Sequence, residues 1–298
     1  MNEIEGVDLL RFTGKQQSQF LRKAKDFDSD LREFARHGRK PHGDLLPWTK
    51  THNDIDFQPG RTTIWAGLNK SGKSVILGQA VLHWQSSGCV IASLEMAADA
   101  TLHRMASQYH RKIPTADECT YFLDHSPNMW IYNKMGSVDR DAILGLIYYS
   151  AEALKCKHIV IDSLMKCGLG RDDYDKEKRF VDAMVNAARD SGIHVHLVCH
   201  MNKAGFDSID DLIGSRRYVR GAGEITDMVD ACIVLARNRN REEEMKKAEF
   251  GQHYDDDILD QYDAYLRVDA NRHYSEENTY GLMFDKNSQR YTEEKRND

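Results

Sequence analysis

Nothing in the chain approaches the roughly 18 consecutive apolar residues that a bilayer crossing needs. The first ten residues, MNEIEGVDLL, lack the basic segment and apolar block of a secretory signal. Neither membrane insertion nor secretion is expected. Paired cysteines are missing too. Cys89, Cys119, Cys156, Cys167, Cys199 and Cys232 are scattered with no C-x-x-C pair, which reads as buried free thiols in a reducing compartment rather than disulfides or a metal site. There is no excess of positive charge: 41 Lys and Arg stand against 47 Asp and Glu, a formal net charge of −6. A broadly basic surface is therefore excluded, while a local basic segment is not. No internal repeat is visible, and nothing ahead of residue 45 supplies zinc ligands or an acidic catalytic cluster.

What remains is a chain of 298 residues, 41% apolar and 30% charged, long enough for one large domain or two smaller ones around a sizeable core. Residues 15–37 read as an amphipathic helix, with Phe20, Ala24, Phe27, Leu31 and Phe34 on one stripe and Gly38 and Pro41 ending it. The stripe must be buried, either on its own domain or on a neighbouring subunit. From residue 61 onward, strand-like runs (62–68, 89–96, 129–134, 158–164, 193–200, 230–237) alternate with helical ones (73–85, 97–112, 139–155, 175–192). Near-continuous apolar strands separated by helices predict an α/β fold: a mostly parallel twisted sheet covered on both faces. Residues 238–262 are densely charged and read as an exposed insertion with a short helix. The stretch beyond them suggests a terminal hairpin or meander. The expected organisation is an N-terminal helical extension and linker over 1–45 and the main domain over 46–298.

The chemistry starts at GLNKSGKS, Gly67 to Ser74, which fits G-x-x-x-x-G-K-S between a strand and a helix. Gly67 and Gly72 allow the turns that point the N–H groups of Asn69, Lys70, Ser71 and their neighbours at phosphate oxygens. Lys73 is expected to neutralise the β- and γ-phosphates and Ser74 to ligate Mg²⁺. ATP and Mg²⁺ are the cofactors this loop calls for. Asp162 follows the apolar run HIVID, so its carboxylate should emerge at the sheet edge where open α/β folds bind ligands, in reach of the metal's hydration shell. Glu95, in IASLEM, is placed for a general base on a strand beside the phosphate loop; a glutamate favoured by a helix N-terminus is the alternative. His194, His196 and His200 alternate on one strand and share a face. Without a Cys or carboxylate at ligand spacing they do not make a metal site, but His200, at the strand's end, can report the state of the γ-phosphate.

These pieces, in this order, resemble the RecA-like ATPase domain of hexameric replicative DNA helicases, the group that includes bacterial DnaB, phage primase–helicases and mitochondrial Twinkle. The resemblance spans residues 45–293. SLEM (93–96) is similar to the family's second motif, which favours Glu95 as the catalytic base. IVIDSL resembles its Walker B motif, LVCHMNK (197–203) its phosphate-sensing motif, and RGAGEITDMVDACIVLARNRN (220–240) its Arg/Gly-rich fourth motif. ANRHYSEENTYGLMFDKNSQRY (270–291) is similar to the closing hairpin, where Arg272 matches an arginine finger. Two features depart from the family: Ala270 stands where lysine is usual, and the charged insertion lengthens the spacing ahead of the hairpin. By the same resemblance Arg237 and Phe284 fall near the nucleotide base, although a solvated charge and a core aromatic explain them equally.

The resemblance implies a cytoplasmic DNA helicase of a bacterium or phage-infected cell. It would translocate on single-stranded DNA by hydrolysing ATP at the interfaces of a homo-oligomer, a hexameric ring or spiral, with a primase, polymerase or loader as further partner. The strand-gripping candidates lie after His200: Lys203, Arg216, Arg217, Arg220 and the close-approach Gly221. A solvated loop is the plain alternative. Two other classes share these features, a filament-forming recombinase or repair-mediator ATPase, and a nucleotide-binding regulator with little hydrolysis.

Overall fold

The computed structural model describes residues 23–37, 43–167, 174–201, 222–272 and 277–294, and the chain divides into two units, 1–40 and 41–298. In the first unit, a 3-10 turn at Ala24–Phe27 leads into helix α1, Asp28–His37. Lys23 is extended (φ −68°, ψ 142°), so one helix does not run through the whole of 15–37. Phe27, Leu31 and Phe34 are exposed, while Phe20 lies outside the described residues.

The second unit is built on a nine-stranded sheet. Its strands are β1 (Thr62–Gly67), β2 (Cys89–Ser93), β3 (Met129–Ile131), β4 (His158–Asp162), β5 (His194–His200), β6 (Ala231–Arg237), β7 (Ala264–Asn271), β8 (Thr279–Asp285) and β9 (Arg290–Thr292). The order is β3-β2-β4-β5-β1-β6-β7-β8-β9. Neighbours from β3 to β6 pair in parallel, and β7, β8 and β9 add on as an antiparallel meander. Every residue of β1, β2 and β4 is buried, as a sheet covered on both faces demands. One expectation is corrected here. β2, which leads to Glu95, does not adjoin the phosphate-loop strand; β4 and β5 lie between them. Strands that are apolar on both faces carry no mark of their neighbours, so order is decided by tertiary packing.

The helices are α2 (Lys73–His83), α3 (Ala98–His110), α4 (Ala116–Asp124), α5 (Arg140–Glu152), α6 (Tyr174–Ser191), α7 (Ala222–Met228), α8 (Arg239–Glu249) and α9 (Asp256–Leu259). Alternation along β1 splits the core. Ile64 and Ala66 pack with Ile143 and Ile147 of α5 and Val181 and Met184 of α6. Trp65 packs on the other face with Ile76 and Leu77 of α2, Trp84 and Phe57. Helix α4 is not among the elements predicted from periodicity. Its signal is a capping box, in which the Thr115 hydroxyl accepts from Glu118 N–H and the Glu118 carboxylate accepts from Thr115 N–H. The charged insertion folds into α8 and α9. Glu244 of α8 is buried and accepts from Lys247 Nζ (2.6 Å) and Asp255 N–H (3.0 Å).

Two further features bear on the site. Gln79 on α2 grips β9 through both ends of its amide: Nε2 donates to Tyr291 O and Oε1 accepts from Tyr291 N–H, each at 2.9 Å. Trp48 Nε1 also donates to Tyr291 O. On the same face, His158, His194 and His196 are buried against Trp84 and Phe57. His158 meets His196 at 3.1 Å and Asp44 at 2.8 Å. His194 reaches Thr63 Oγ1 and Gln58 O, and Trp65 Nε1 donates to His196 Nδ1. Each ring is thus satisfied within the core, and among the described residues no cluster of His, Cys, Asp or Glu is arranged to hold a metal ion. All six cysteines are free, Cys119 half-buried and the others buried. Among the described residues no helix is long and apolar enough to cross a membrane.

Candidate functional site

The site is assembled at the C-terminal edge of the parallel strands, where β1 gives way to α2. Gly67 closes β1 with no room for a side chain: a Cβ would stand 2.6 Å from Leu235 O and from Ser71 Oγ. Gly72 takes φ +96° immediately before α2, a left-handed turn suited to glycine. A Cβ there would meet Tyr291 Oη at 2.4 Å. The loop therefore wraps closely between β6 and the C-terminal meander.

Lys73 is buried, and its Nζ donates to Gly67 O and Leu68 O, both at 2.9 Å. Burial lowers its pKa, and the charge of Asp162 opposes that shift. The Ser74 hydroxyl donates to Asp162 Oδ2 at 2.5 Å. Burial raises the Asp162 pKa; the Ser74 hydrogen bond acts against this and the nearby Glu95 charge adds to it. Glu95 follows β2 in the turn before α3. Its Oε1 accepts from Ser163 Oγ at 2.5 Å and lies 3.3 Å from His200 Nε2. The His200 hydrogen bond is the main influence that lowers the Glu95 pKa to about 2, with Ser163 assisting against partial burial. One neighbourhood thus holds an ammonium, a hydroxyl–carboxylate pair and an ionised carboxylate joined to an imidazole.

These groups line one end of a cleft of about 960 Å³. The other end is walled by Arg237, by Phe284 and by the inner side of α8 and α9, so the charged insertion is not merely an exposed excursion. Arg237 forms a two-pronged ion pair with Glu242 of α8, and its Nη1 donates to Lys70 O at 3.4 Å. It is held across the phosphate loop while its side chain stays partly open to solvent. The Phe284 ring lies 4.9 Å from the Tyr291 ring, and its N–H donates to Asp263 Oδ2 at 2.7 Å. Sequence reasoning misses Arg104, Tyr291 and the α8–α9 wall, because nothing local to those residues marks where the fold carries them.

The residues fit a nucleoside triphosphate. Two buried polar atoms at this end, Ser71 Oγ and His200 Nδ1, have no hydrogen-bond partner among the described residues. Ser74 and Asp162 are the hard oxygen donors that Mg²⁺ prefers.

Arg272 lies elsewhere. Asn271 pairs with Ala231 at the start of β6, whereas Arg237 ends that strand, so roughly 20 Å of strand separates the two edges. There the Arg272 backbone N–H donates to Asp230 O at 3.0 Å and its side chain to Asp227 O. Ala270, standing where the resemblance calls for lysine, pairs with Cys232 on β6. Lys203, Arg216, Arg217, Arg220 and Gly221 lie outside the described residues.

Comparison with known proteins matches residues 55–205 to the AAA domain family. No curated protein matches the chain. Among solved structures, an ATPase domain superposes with a TM-score of 0.71 at 12% identity, over 91% of this chain and 98% of that one. A DnaB-like replicative helicase, solved in a study of its interactions with primase, superposes with a TM-score of 0.67 at 12% identity, over 91% of this chain and 67% of the other. The shared fold is the RecA-like one: a mostly parallel sheet flanked by helices and closed by an antiparallel hairpin.

Proposed function

The chain belongs to the AAA domain family, and on that premise we propose that it is an ATP-hydrolysing DNA helicase motor that completes each nucleotide site with a second copy of itself. The observation that carries this reading is the separation of parts. Lys73, Ser74, Asp162, Glu95 and His200 share one cleft edge, while Arg272 sits at the opposite edge, roughly 20 Å of strand away. An arginine at that distance cannot serve its own site. It can serve a neighbour's in a head-to-tail assembly, which closes as a ring or climbs as a spiral.

In this mechanism the loop from Gly67 to Ser74 cradles the phosphates and Lys73 neutralises them. Ser74 and Asp162 would hold Mg²⁺, which when bound would supply neutralisation of phosphate charge. Glu95, kept ionised by His200 and Ser163, takes the proton of the attacking water. Arg272 of the neighbouring copy stabilises the charge that develops, an effect of about 10³–10⁵ in rate in comparable enzymes. His200 ends β5 immediately before residues 202–221, so hydrolysis at Glu95 is linked to the segment bearing Lys203, Arg216, Arg217, Arg220 and Gly221. Those residues grip single-stranded DNA. Arg237 and Phe284 border the base. The helical segment within 15–37 serves as the element exchanged between subunits of a hexamer, 1–45 being the extension and linker and 46–298 the motor, with a primase, polymerase or loader as partner.

A mixing experiment tests the shared site. Lys73→Ala and Arg272→Ala should each abolish turnover, with Arg272→Ala still binding nucleotide. Combining the two inactive proteins should restore part of the activity, because some interfaces then hold an intact Lys73 facing an intact Arg272. Full activity of Arg272→Ala alone, or a monomer that hydrolyses ATP at full rate with nucleotide and DNA present, would refute the proposal.

A further inference from the structure

β6 and β7 are antiparallel neighbours, and Arg237 at the end of β6 pairs with Ala264 at the start of β7. A hairpin of about two to five residues closes such a pair. The chain instead places residues 238–263 there and fastens them down. The buried Asn238 side chain caps α8, its Oδ1 accepting from Arg241 N–H at 3.1 Å. Arg241 donates from Nε to Leu259 O at 2.9 Å, and from Nη1 to the Met245 sulfur and the Asp263 carboxylate. The other oxygen of Asp263 accepts from Phe284 N–H. α8, α9 and β8 are thus tied together, and Met245, Leu259 and Gln261 are held on the wall of the cleft.

The amide orientations on this wall follow from the hydrogen-bond network. A backbone N–H fixes the Asn238 oxygen toward Arg241, so its nitrogen donates to Tyr262 O at 3.2 Å and to the Gln261 side chain at 2.9 Å. Gln261 therefore turns its Oε1 to Asn238, and its Nε2 makes no hydrogen bond to a described residue. Two apolar side chains beside one oriented polar group are the makings of a pocket for a flat heterocycle. Arg237 is not free to read the edge of such a ring: its Nε and Nη2 are bound to Glu242 and its Nη1 to Lys70 O. Lys246 and Glu249 border the same end but are exposed, where a charge gains little from a partner.

We propose that the α8–α9 insertion is the specificity wall of the nucleotide site, with Gln261 as the residue that discriminates between bases. Met245 and Leu259 cover the ring, and Gln261 Nε2–H donates to an acceptor on its edge. This rests on the nucleotide reading above and deepens it. The four bases set their acceptors at different points, so a donor held in one place favours the base whose acceptor meets it.

The test compares the full-length protein with Gln261→Ala and Gln261→Glu, measuring affinity for ADP, GDP, CDP and UDP, each with Mg²⁺, and for Mg²⁺-tripolyphosphate, which has no base. The parent should favour one base. Gln261→Ala should lose about three- to tenfold for that nucleotide, the scale of one hydrogen bond, and bind the others within about twofold of the parent. Gln261→Glu can still accept from Asn238 Nδ2, so it keeps the wall while putting an acceptor where the donor stood. It should lose at least as much for the preferred nucleotide. Tripolyphosphate affinity should be unchanged in both variants. A parent indifferent to the base, an unaltered preference in both variants, or a loss shared equally by all four nucleotides, with or without tripolyphosphate, would overturn the proposal. Lys73→Ala serves as a separate control: if it leaves tripolyphosphate affinity intact, the phosphate site itself is misassigned, whatever Gln261 does.

Discussion

Replacing Gly72 with alanine puts a measurable load on the junction between the phosphate loop and the C-terminal meander. Two costs arise, and they can be separated. A side chain at φ +96° pays for a left-handed backbone, about 1–2 kcal/mol. The new Cβ would also stand 2.4 Å from Tyr291 Oη. That ring is buried, lies against Phe284, and belongs to a residue whose backbone Gln79 and Trp48 hold, so it has little freedom to yield. Overpacking of this kind costs about 1–3 kcal/mol, giving a total of about 2–5 kcal/mol for Gly72→Ala. Tyr291→Phe removes the offending oxygen, and the next ring atom is 3.4 Å away, a tight but ordinary contact. The hydroxyl makes no hydrogen bond among the described residues, so Tyr291→Phe alone should be nearly neutral. In the double variant only the backbone cost should remain, giving a favourable coupling of about 1–3 kcal/mol. Urea unfolding followed by tryptophan fluorescence suits the measurement, because all four tryptophans lie in the 41–298 unit. Additive effects within about 0.5 kcal/mol would show that the ring does not limit the loop and that the argument from close approach is wrong.

Two pH experiments follow from the buried groups. Burial lowers the pKa of His158, His194 and His196, that of His194 to about 3, so the folded chain keeps them neutral while the unfolded chain protonates near 6.5. The unfolded state then binds more protons in the acid range. Stability is therefore full above pH 6.5 and falls as pH drops toward the folded values, by up to about 1.4 kcal/mol per pH unit for each histidine. Urea midpoints between pH 7.5 and 5 should show the slope, His196→Leu should flatten it, and a level profile in the parent protein would contradict the assignment. For Glu95 the sign is opposite in origin. Its folded pKa, about 2, lies below the ordinary 4.5, so its contribution is present above pH 4.5 and lost as pH falls through 2. His200→Ala removes the main cause and should move the Glu95 titration, followed by carboxyl-carbon NMR, upward toward 4.5; an unmoved titration would break the His200–Glu95 link.

Much of the architecture can be read from residue order, because strands buried on both faces and amphipathic helices leave local periodic marks. The runs at 62–68 and 158–164 contain β1 and β4, and GLNKSGKS sits at the expected strand-to-helix junction. The strand order cannot be read, since Val90, Ile64 and Ile159 look alike whatever their neighbours. Hence the sequence puts β2 beside the phosphate loop, whereas it lies three places along the sheet. At the site, Lys73, Ser74 and Asp162 are marked by their own flanking residues. Arg104 is not, because its placement depends on how α3 packs, and the pinning of Arg237 depends on Glu242 in an insertion that reads as plain surface charge. The three core histidines come from two strands, and only their pairing register brings His158 opposite His194.

The grip of Gln79 on β9 has an implication for biosynthesis. Gln79 is made 212 residues before the tyrosine it holds. A nascent chain that has not yet reached Arg290 carries the whole nucleotide-binding signature but lacks Tyr291, so one wall of the cleft and the partner of Gln79 are both missing. The junction between α2 and the C-terminal meander thus closes only after β9 has left the ribosome.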